Sequence, residues 1–523
     1  NLKLVVAEKP SVGRAYADVL GAKSKKDGYY EGNGYMVTWC IGHLLGLAEP
    51  AVYDEKYKSW RKEDLPISPA AWKYVATPST KKQLKVLVDL IKRPDIDVII
   101  NGADAGREGE LIFRLVYEHA KSKKPIQRLW LSSMEESAIK EGFRNLRAGT
   151  DYDSLHQAAK CRQQADWLVG MNCSRLFSIV YNAGLRVGRV QTPTLAMVVD
   201  RFEKINNFIK EPFYVVALTG AGFTAERERL SDKALADAIA TKCNGQTAVI
   251  QSIKKQDKSI APPRLYDLTT LQREANKLFG LTASKTLEIV QALYERKIVT
   301  YPRTDSKFIT DDMAHGIDSL VAMADGLLAG TVGGKVFAKE FTPNVPLIVN
   351  NSKVTDHHAI LPTMQAGSVN INALNADERN ILLMICAKLI CAVNEKHTYA
   401  ETSVTVTCCE EIFTAKGKVV KNNGWKQVED DFLKSIGRSK KNEDENAALP
   451  TNISEGQEFT AQSSVREGFT SPPRPYTEDI RYKGGNEKPP KISWQRLIRS
   501  GLERFARSQR KGGQYVKLVG ITA

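Results

Sequence analysis

The chain has 523 residues and a formal net charge of +15, from 75 Lys and Arg against 60 Asp and Glu. With 42% hydrophobic and 26% charged residues it reads as a soluble protein of roughly two to five domains, and no run of about 18 apolar residues offers a membrane span. Its eight cysteines, at 40, 161, 173, 243, 386, 391, 408 and 409, form no C-x-x-C pair, which argues against a zinc ribbon or a redox dithiol and for a reducing cytoplasm.

The first segment, "NLKLVVAEKPS", enters a strand at once, without a signal-peptide pattern or an initiator methionine. Residues 1–148 then alternate strand and helix signals. "LKLVVAE" is a buried strand, "SVGRAYADVLG" a helix capped by Ser11, and "GYMVTWC" a strand. "STKKQLKVLVDLIKR" has helical spacing, "DVIINGAD" is a strand, and "EGELIFRLVYEHAK" is a helix; "IQRLWLSS" and "MEESAIKEGFRNLR" repeat the pair. Such alternation predicts a parallel α/β sheet covered by helices. From 149 to 212 the pattern is helical, and from 213 to 262 it is β. Helices return from "DLTTLQREANKLFG" through "ADERNILLMICAKLICAVN", "YAETSVTVTCCEEIFTAKGKVV" is β again, and "GRSKKNEDENAALPTNISEGQ" reads as an exposed loop. The openings "PPRLYDLTTL" and "PPRPYTEDI" look like similar joints between domains; no period of 20–50 residues recurs.

Charge is unevenly spread. Residues 481–523 hold eleven Lys and Arg against Glu487 and Glu503, so they supply about +9 and suit a polyanionic partner.

Two places carry chemistry. In parallel sheets functional groups collect beyond the carboxyl ends of strands. Glu8 ends the first strand, Asp104 ends "DVIINGAD", and Glu108 opens the next helix. If those strands are neighbours, the three carboxylates could hold Mg²⁺ beside phosphate. The same sequence also fits glutamates that only favour a helix N-terminus. The second place is "TYPRTDS". Tyrosine is a poor nucleophile near neutrality, but Pro302 holds Tyr301 extended, aiming its phenol out of the helix end, and Arg303 can grip the phosphate under attack. Taken alone, a proline turn with a half-buried tyrosine is the favoured account.

"VVAEKPS", "GADAGREGELI", "CRQQADWLVG", "GRVQTPTL", "TYPRTDS" and "HHAILPT" occur in an order that resembles type IA DNA topoisomerases, in particular the bacterial topoisomerase III branch. The resemblance runs from residue 2 to about 479. It implies a multidomain α/β, α and β protein, with a Toprim domain at 1–148 and a toroidal core. That core would comprise a helical DNA-binding region at 149–212, a β-rich hinge at 213–265 and 399–465, a helical domain with the nucleophile at 266–398, and the rest of the DNA-binding domain from 466 to 523. It implies ATP-independent cleavage of one DNA strand through a 5′-phosphotyrosine at Tyr301, strand passage and resealing. The expected substrate is DNA with single-stranded regions, the cofactor Mg²⁺, and the enzyme a bacterial cytoplasmic monomer.

The resemblance assigns further roles. Glu8 would give a proton to the departing 3′-oxygen, Lys9 would supply a cation there, and His357 of "TDHHAILPT" would support cleavage, with His358 a variable neighbour. Arg162 and Asp166, four apart on a helix, would touch DNA upstream of the break, although an i,i+4 ion pair accounts for them equally well. Arg175, Arg186, Gly188, Arg189 and Gln191 would contact the backbone. Trp60 and Arg61 are weaker DNA candidates, with packing the expected role for the tryptophan.

Two departures stand out. Gly106 occupies the place where the family pattern has a second loop acid, which puts a two-metal site in doubt. The tail after "PPRPYTED" matches no family segment, and its Trp494, Leu497, Ile498, Leu502 and Phe505 suggest a basic amphipathic helix. A DNA-binding remnant with impaired turnover is therefore the alternative reading.

Overall fold

A computed structural model describes residues 2–132, 134–331, 342–354, 357–438 and 448–476. The expected tail helix lies outside these residues, as do residues 439–447 of the charged loop expected at 437–457.

The first region is built on a seven-stranded sheet. Edge to edge its strands are Ser24–Lys26, Tyr29–Gly32, Tyr35–Trp39, Leu2–Ala7, Ile96–Gly102, Ile126–Arg128 and Arg147–Ala148. The four central strands are parallel. Alternation along "LKLVVA" sends Leu4 and Val6 to one face and Val5 and Ala7 to the other, and both faces are covered. Leu4 and Val6 pack with Leu87, Ile91 and Phe113 of helices Lys81–Lys92 and Arg107–His119. Val5 and Ala7 join a larger apolar cluster, which runs through Tyr16 and Leu131 into Ile289, Tyr294, Tyr301 and Leu389. The sheet region and the tyrosine-bearing helices therefore share one core. The helix expected to be capped by Ser11 starts instead at Pro10, with Lys9 in the cap position and no side-chain cap. Proline suits that first position because it has no N–H to satisfy.

Helices Asp153–Val180 and Gln191–Asn206 follow. The first is 28 residues long yet buries only His156, Ala159, Trp167 and Arg175. Most of its surface is therefore available to a partner.

The second sheet also has seven strands, in the order Glu458–Thr460, Thr247–Ile260, His397–Cys408, Glu411–Asn422, Phe223–Glu226, Pro212–Gly220 and Gln462–Phe469. All its pairings are antiparallel. Two distant stretches of chain thus make one sheet, and the helices between them form a separate body. The sequence reading did not anticipate two helices: Lys233–Cys243, which packs on this sheet, and Trp425–Ser435, whose apolar face joins the helical body.

In the helical body, Asp267 caps Leu268–Phe279 and Thr282 caps Ala283–Glu295. Asn375 and Glu378 form a reciprocal box on Ala376–Ala392. Each such cap contributes about 1 kcal/mol. Beyond Glu295 the chain pairs with the "HHAILPT" segment: Val299 bridges Pro362, and Thr300 N–H donates to the Leu361 carbonyl at 2.9 Å, while Tyr266, from before the first of these helices, bridges Ile360. The two motifs are one local structure.

His358 is buried beside these bridges, and burial pushes its imidazole down to about 4. The unfolded chain binds this proton near pH 6.5, so between about pH 6.5 and 4 the unfolded state holds more protons. Stability is complete above that window and is lost as the pH falls through it, by about 3 kcal/mol in all. Thermal unfolding of the parent and His358→Asn across pH 4–8 should show a shallower loss in the variant; equal slopes would exclude His358 as the titrating group.

Candidate active site

Ala7 and Gly102 are register partners on adjacent parallel strands, so the residues just beyond them emerge side by side. Glu8 Oε2 accepts the Asp104 N–H at 3.1 Å. The turn between Asp104 and helix Arg107–His119 is very tight. A Cβ on Gly109 would sit 2.2 Å from the Asp104 carbonyl oxygen, so only glycine fits there. Gly106 differs: its backbone is extended and a Cβ would meet nothing within 4 Å.

Tyr301 comes from the other body and closes over this loop. Its hydroxyl donates to Asp104 Oδ2 at 3.3 Å, and the Arg303 guanidinium lies 3.7 Å from the same oxygen. Arg303 also donates to Gln291 at 3.0 Å. Tyr301 is 5% exposed. This corrects the expectation of an outward-pointing or half-buried phenol, because the sheet region covers it. The Tyr301 N–H donates to the Ser132 carbonyl at 3.1 Å, and its ring lies edge-on to Tyr294 at 5.3 Å. Burial and the Asp104 charge raise the phenol's pKa, with Arg303 opposing them.

His357 packs against that phenol, with ring centroids 4.4 Å apart. Its Nε2 meets the Ala105 carbonyl at 2.5 Å and its Nδ1 meets Ser132 Oγ at 3.0 Å. A carbonyl only accepts, so Nε2 carries the proton and Nδ1 accepts from serine. Trp130 stacks on the far face of the cluster, between His357 and Tyr152.

Burial, then the Asp104 charge, pushes Glu8 up to about 7. Two carboxylates crowded in this way are a donor set that a divalent cation relieves. Glu108 is not part of that set. It is 73% exposed at the side chain and meets His43 Nε2 at 2.5 Å, a contact that lowers its pKa. Among the described residues, Glu8, Asp104 and Glu108 do not come within a common ligand distance of 4.8 Å. Glu8 and Asp104 thus lie together, while the first helical turn points Glu108, the third expected ligand, aside toward His43. Lys9 also departs from expectation: its ammonium is 3.1 Å from Glu295 of the opposing body, and Ser11 reaches the same carboxylate.

The expected DNA contacts divide. Arg162 and Asp166 are exposed and make no ion pair with each other; Asp166 instead takes Arg189 through two contacts, at 2.6 and 3.3 Å. The Arg162 charge acts on Glu108, so it faces the acidic loop. Arg186 is exposed. Gly188 and Gln191 lie at the start of helix Gln191–Asn206, where Gly188 N–H donates to Thr192 Oγ1 at 3.2 Å. Arg61 pairs with Asp64 at 2.9 Å.

Arg175 is a correction. It is buried, donates to the Tyr57 carbonyl at 2.8 Å and lies over the Trp60 ring, so its guanidinium is spent on packing. Trp60 is one as well: it is 50% exposed rather than packed away. With Asp166, Trp167, Gly170, Met171, Ser174 and Arg175 it lines a cavity of about 210 Å³. Sequence reasoning missed Arg128, Glu110, Trp130, Ser132 and His43. Of these, only a charged "R" inside the apolar run "IQRLW" stood out as a signal.

A DNA topoisomerase family profile matches residues 150–480, and a Toprim domain profile matches residues 3–134. DNA topoisomerase 3 of Bacillus licheniformis is 40% identical over 485 residues, covering 91% of this chain and 66% of that protein. DNA topoisomerase 3 of Bacillus subtilis is 38% identical, covering 99% of this chain and 70% of that protein, so the similarity runs into the tail where none was expected. The chain thus spans about two-thirds of the length of these relatives. Full-length topoisomerase I from Thermotoga maritima shares the fold, with a TM-score of 0.65 at 22% identity over 92% of this chain and 75% of that one. The paired strand-end acids, the covered tyrosine and these matches agree: the chain belongs to the type IA DNA topoisomerase family, in its bacterial topoisomerase III branch.

Proposed function

We propose that this chain cleaves one DNA strand with Tyr301, passes another through the break and reseals it, relaxing negative supercoils and decatenating DNA without ATP. The observation that carries the reading is the Tyr301 hydroxyl on Asp104 Oδ2 with Arg303 beside both. As the Tyr301 oxygen bonds to phosphorus, its proton passes toward Asp104, and Arg303 offsets charge on the phosphate. The bond from phosphorus to the 3′-oxygen breaks, and that oxygen takes a proton from Glu8, which stands beside Asp104 and recovers the proton on resealing. The tyrosyl–phosphate bond conserves the energy of the one it replaced, so resealing is the reverse reaction. His357, fixed by Ser132 and Ala105, holds the phenol ring in place.

Glu8 and Asp104 would hold the metal of the Toprim domain, and we assign Mg²⁺, which binds hard oxygen ligands and neutralises phosphate charge when present. Glu108 can join only by leaving His43. On the DNA-binding side, the open face of Trp60, with Asp166 and Arg189 beside the cavity, suits a stacked base of a single strand. Arg162 and Arg186 are free to meet phosphates. We assign the chain to the bacterial cytoplasm as a monomer acting on DNA with single-stranded regions.

Tyr301→Phe should abolish the covalent protein–DNA adduct on denaturing gels with end-labelled oligonucleotide, while single-strand affinity stays within about twofold. An adduct that persists would remove Tyr301 as the nucleophile.

Arg303→Ala should slow cleavage by 10²–10³-fold, or about 3–4 kcal/mol in the barrier, by analogy with loss of one oxyanion donor. Parallel losses in affinity and rate would make it a general phosphate contact.

Glu8→Gln with Asp104→Asn should abolish Mg²⁺-supported relaxation. Gly106→Asp, for which the backbone has room, should lower the Mg²⁺ concentration needed for half-maximal relaxation. Metal titrations that are unchanged in the double variant would sink the site.

A further inference from the structure

The second sheet holds a thiol cluster that strand cleavage does not use. Cys243 is the last residue of helix Lys233–Cys243, Cys408 ends strand His397–Cys408, and Cys409 begins the two-residue turn into strand Glu411–Asn422. Their three sulfurs lie within 4.8 Å of one another, the sole such grouping of Cys, His, Asp and Glu ligand atoms among the described residues. The elements are laced together at this point. Cys243 Sγ lies 3.5 Å from the Cys408 carbonyl, Cys408 Sγ 3.8 Å from the Cys243 carbonyl, and Cys409 Sγ 3.5 Å from the Lys242 carbonyl.

Buried cysteine is a small apolar residue, and that alone explains Cys243 and Cys408. It does not explain Cys409. The turn places Cys409 at φ 49° and Glu410 at φ 67°, where hairpins strongly prefer Asn-Gly. A side chain held in the left-handed region costs energy and persists where the surroundings require it. Here the strained position is the one that brings a third, partly exposed sulfur onto the two buried ones.

We propose that Cys243, Cys408 and Cys409 form a trithiolate site for a soft d¹⁰ cation, zinc or copper(I). Metal–sulfur bonds of about 2.3 Å place sulfurs about 3.8–4.0 Å apart, so the cluster needs a contraction of at most about 1 Å. Soft sulfur ligands select these ions over the hard cation of the acidic loop. Glu411 is held by Arg227 at 3.0 Å, which leaves the fourth position to water in a zinc site. On binding, each thiol gives its proton to solvent as its sulfur–metal bond forms, and no electron is transferred. The ion would tie a helix end to a hairpin turn in the sheet expected to act as the hinge.

The test uses the full chain, reduced, metal-stripped and kept in excess Mg²⁺ so that the acidic loop is saturated. Titration with Cd²⁺, as a spectroscopic zinc surrogate, and separately with Cu(I), should raise an ultraviolet sulfur-to-metal charge-transfer band that saturates at one equivalent. Cys409→Asn, whose new side chain tolerates the turn's positive φ, should fold normally, lose the band and bind at least tenfold more weakly. Cys161→Ser, an exposed cysteine outside the cluster, should titrate like the parent. Absence of a one-equivalent band in the parent would overturn the proposal, as would a band that survives in Cys409→Asn. Response to Cd²⁺ alone identifies a zinc-class site, and response to Cu(I) alone a copper site. If Cys409→Asn fails to fold, parent stoichiometry and protection of three thiols from alkylation by the bound metal decide the matter.

Discussion

A fully buried guanidinium organises the acidic loop. Arg128, 1% exposed, donates to the carbonyls of Asn101, Ala103 and Leu129 and, at 2.8 Å, to that of Asp104. Its charge is met by Glu110, 3.0 Å away, which also holds Asn101 and Arg114. Loss of one partner in such a buried pair strands the other charge, at a cost of about 3–5 kcal/mol. Three of the four carbonyls that Arg128 gathers belong to the strand end and the turn that carry Asp104, so the pair sets where that carboxylate points. Every later relation, from Glu8 to the Asp104 N–H and from Asp104 to the Tyr301 phenol, inherits its position from this contact.

The second constraint is the covering of the tyrosine. Tyr301 is buried between two bodies, its ring among Tyr294 and His357 and its hydroxyl on a carboxylate of the opposing sheet. A phosphodiester cannot reach it without some separation of the bodies. That separation is opposed by an apolar core continuous from Val5 to Leu389, and by the Lys9–Glu295 ion pair. Both side chains of that pair are about 30% exposed, so the pair is worth little by itself. Burial of the shared apolar surface holds the bodies together more strongly. The resting arrangement covers the Tyr301 phenol and, through burial and the Asp104 charge, raises its pKa.

Much of the candidate site was legible in the chain because it rests on residue types at fixed local spacing. A tyrosine locked by proline, with arginine two positions later, needs no distant partner to be noticed. Glu8 and Asp104 were legible because strand ends can be read from periodicity and parallel sheets gather functional groups there. Glu108 misled because a carboxylate in a first helical turn can point to either side, and His43, which claims it, comes from a distant loop. Arg175 misled for a related reason: on a helix an arginine looks solvent-facing until the Tyr57 carbonyl and the Trp60 ring close over it. The role of Arg128 was not legible beyond its charge inside an apolar run, since what tolerates a buried cation there is Glu110 and three carbonyls from 101–104, with that of its neighbour Leu129.

By itself the sequence determined the strand–helix alternation of the first region and singled out the candidate nucleophile with its arginine and the two strand-end acids, all of which depend on backbone preference and short-range pattern. Only the tertiary structure decided that two stretches some 140 residues apart build one sheet, that Tyr301 lies covered on Asp104, and that Cys243 meets Cys408 and Cys409. Those relations join segments whose spacing along the chain carries no signal, and they exist only because burial of apolar surface brings those segments into contact.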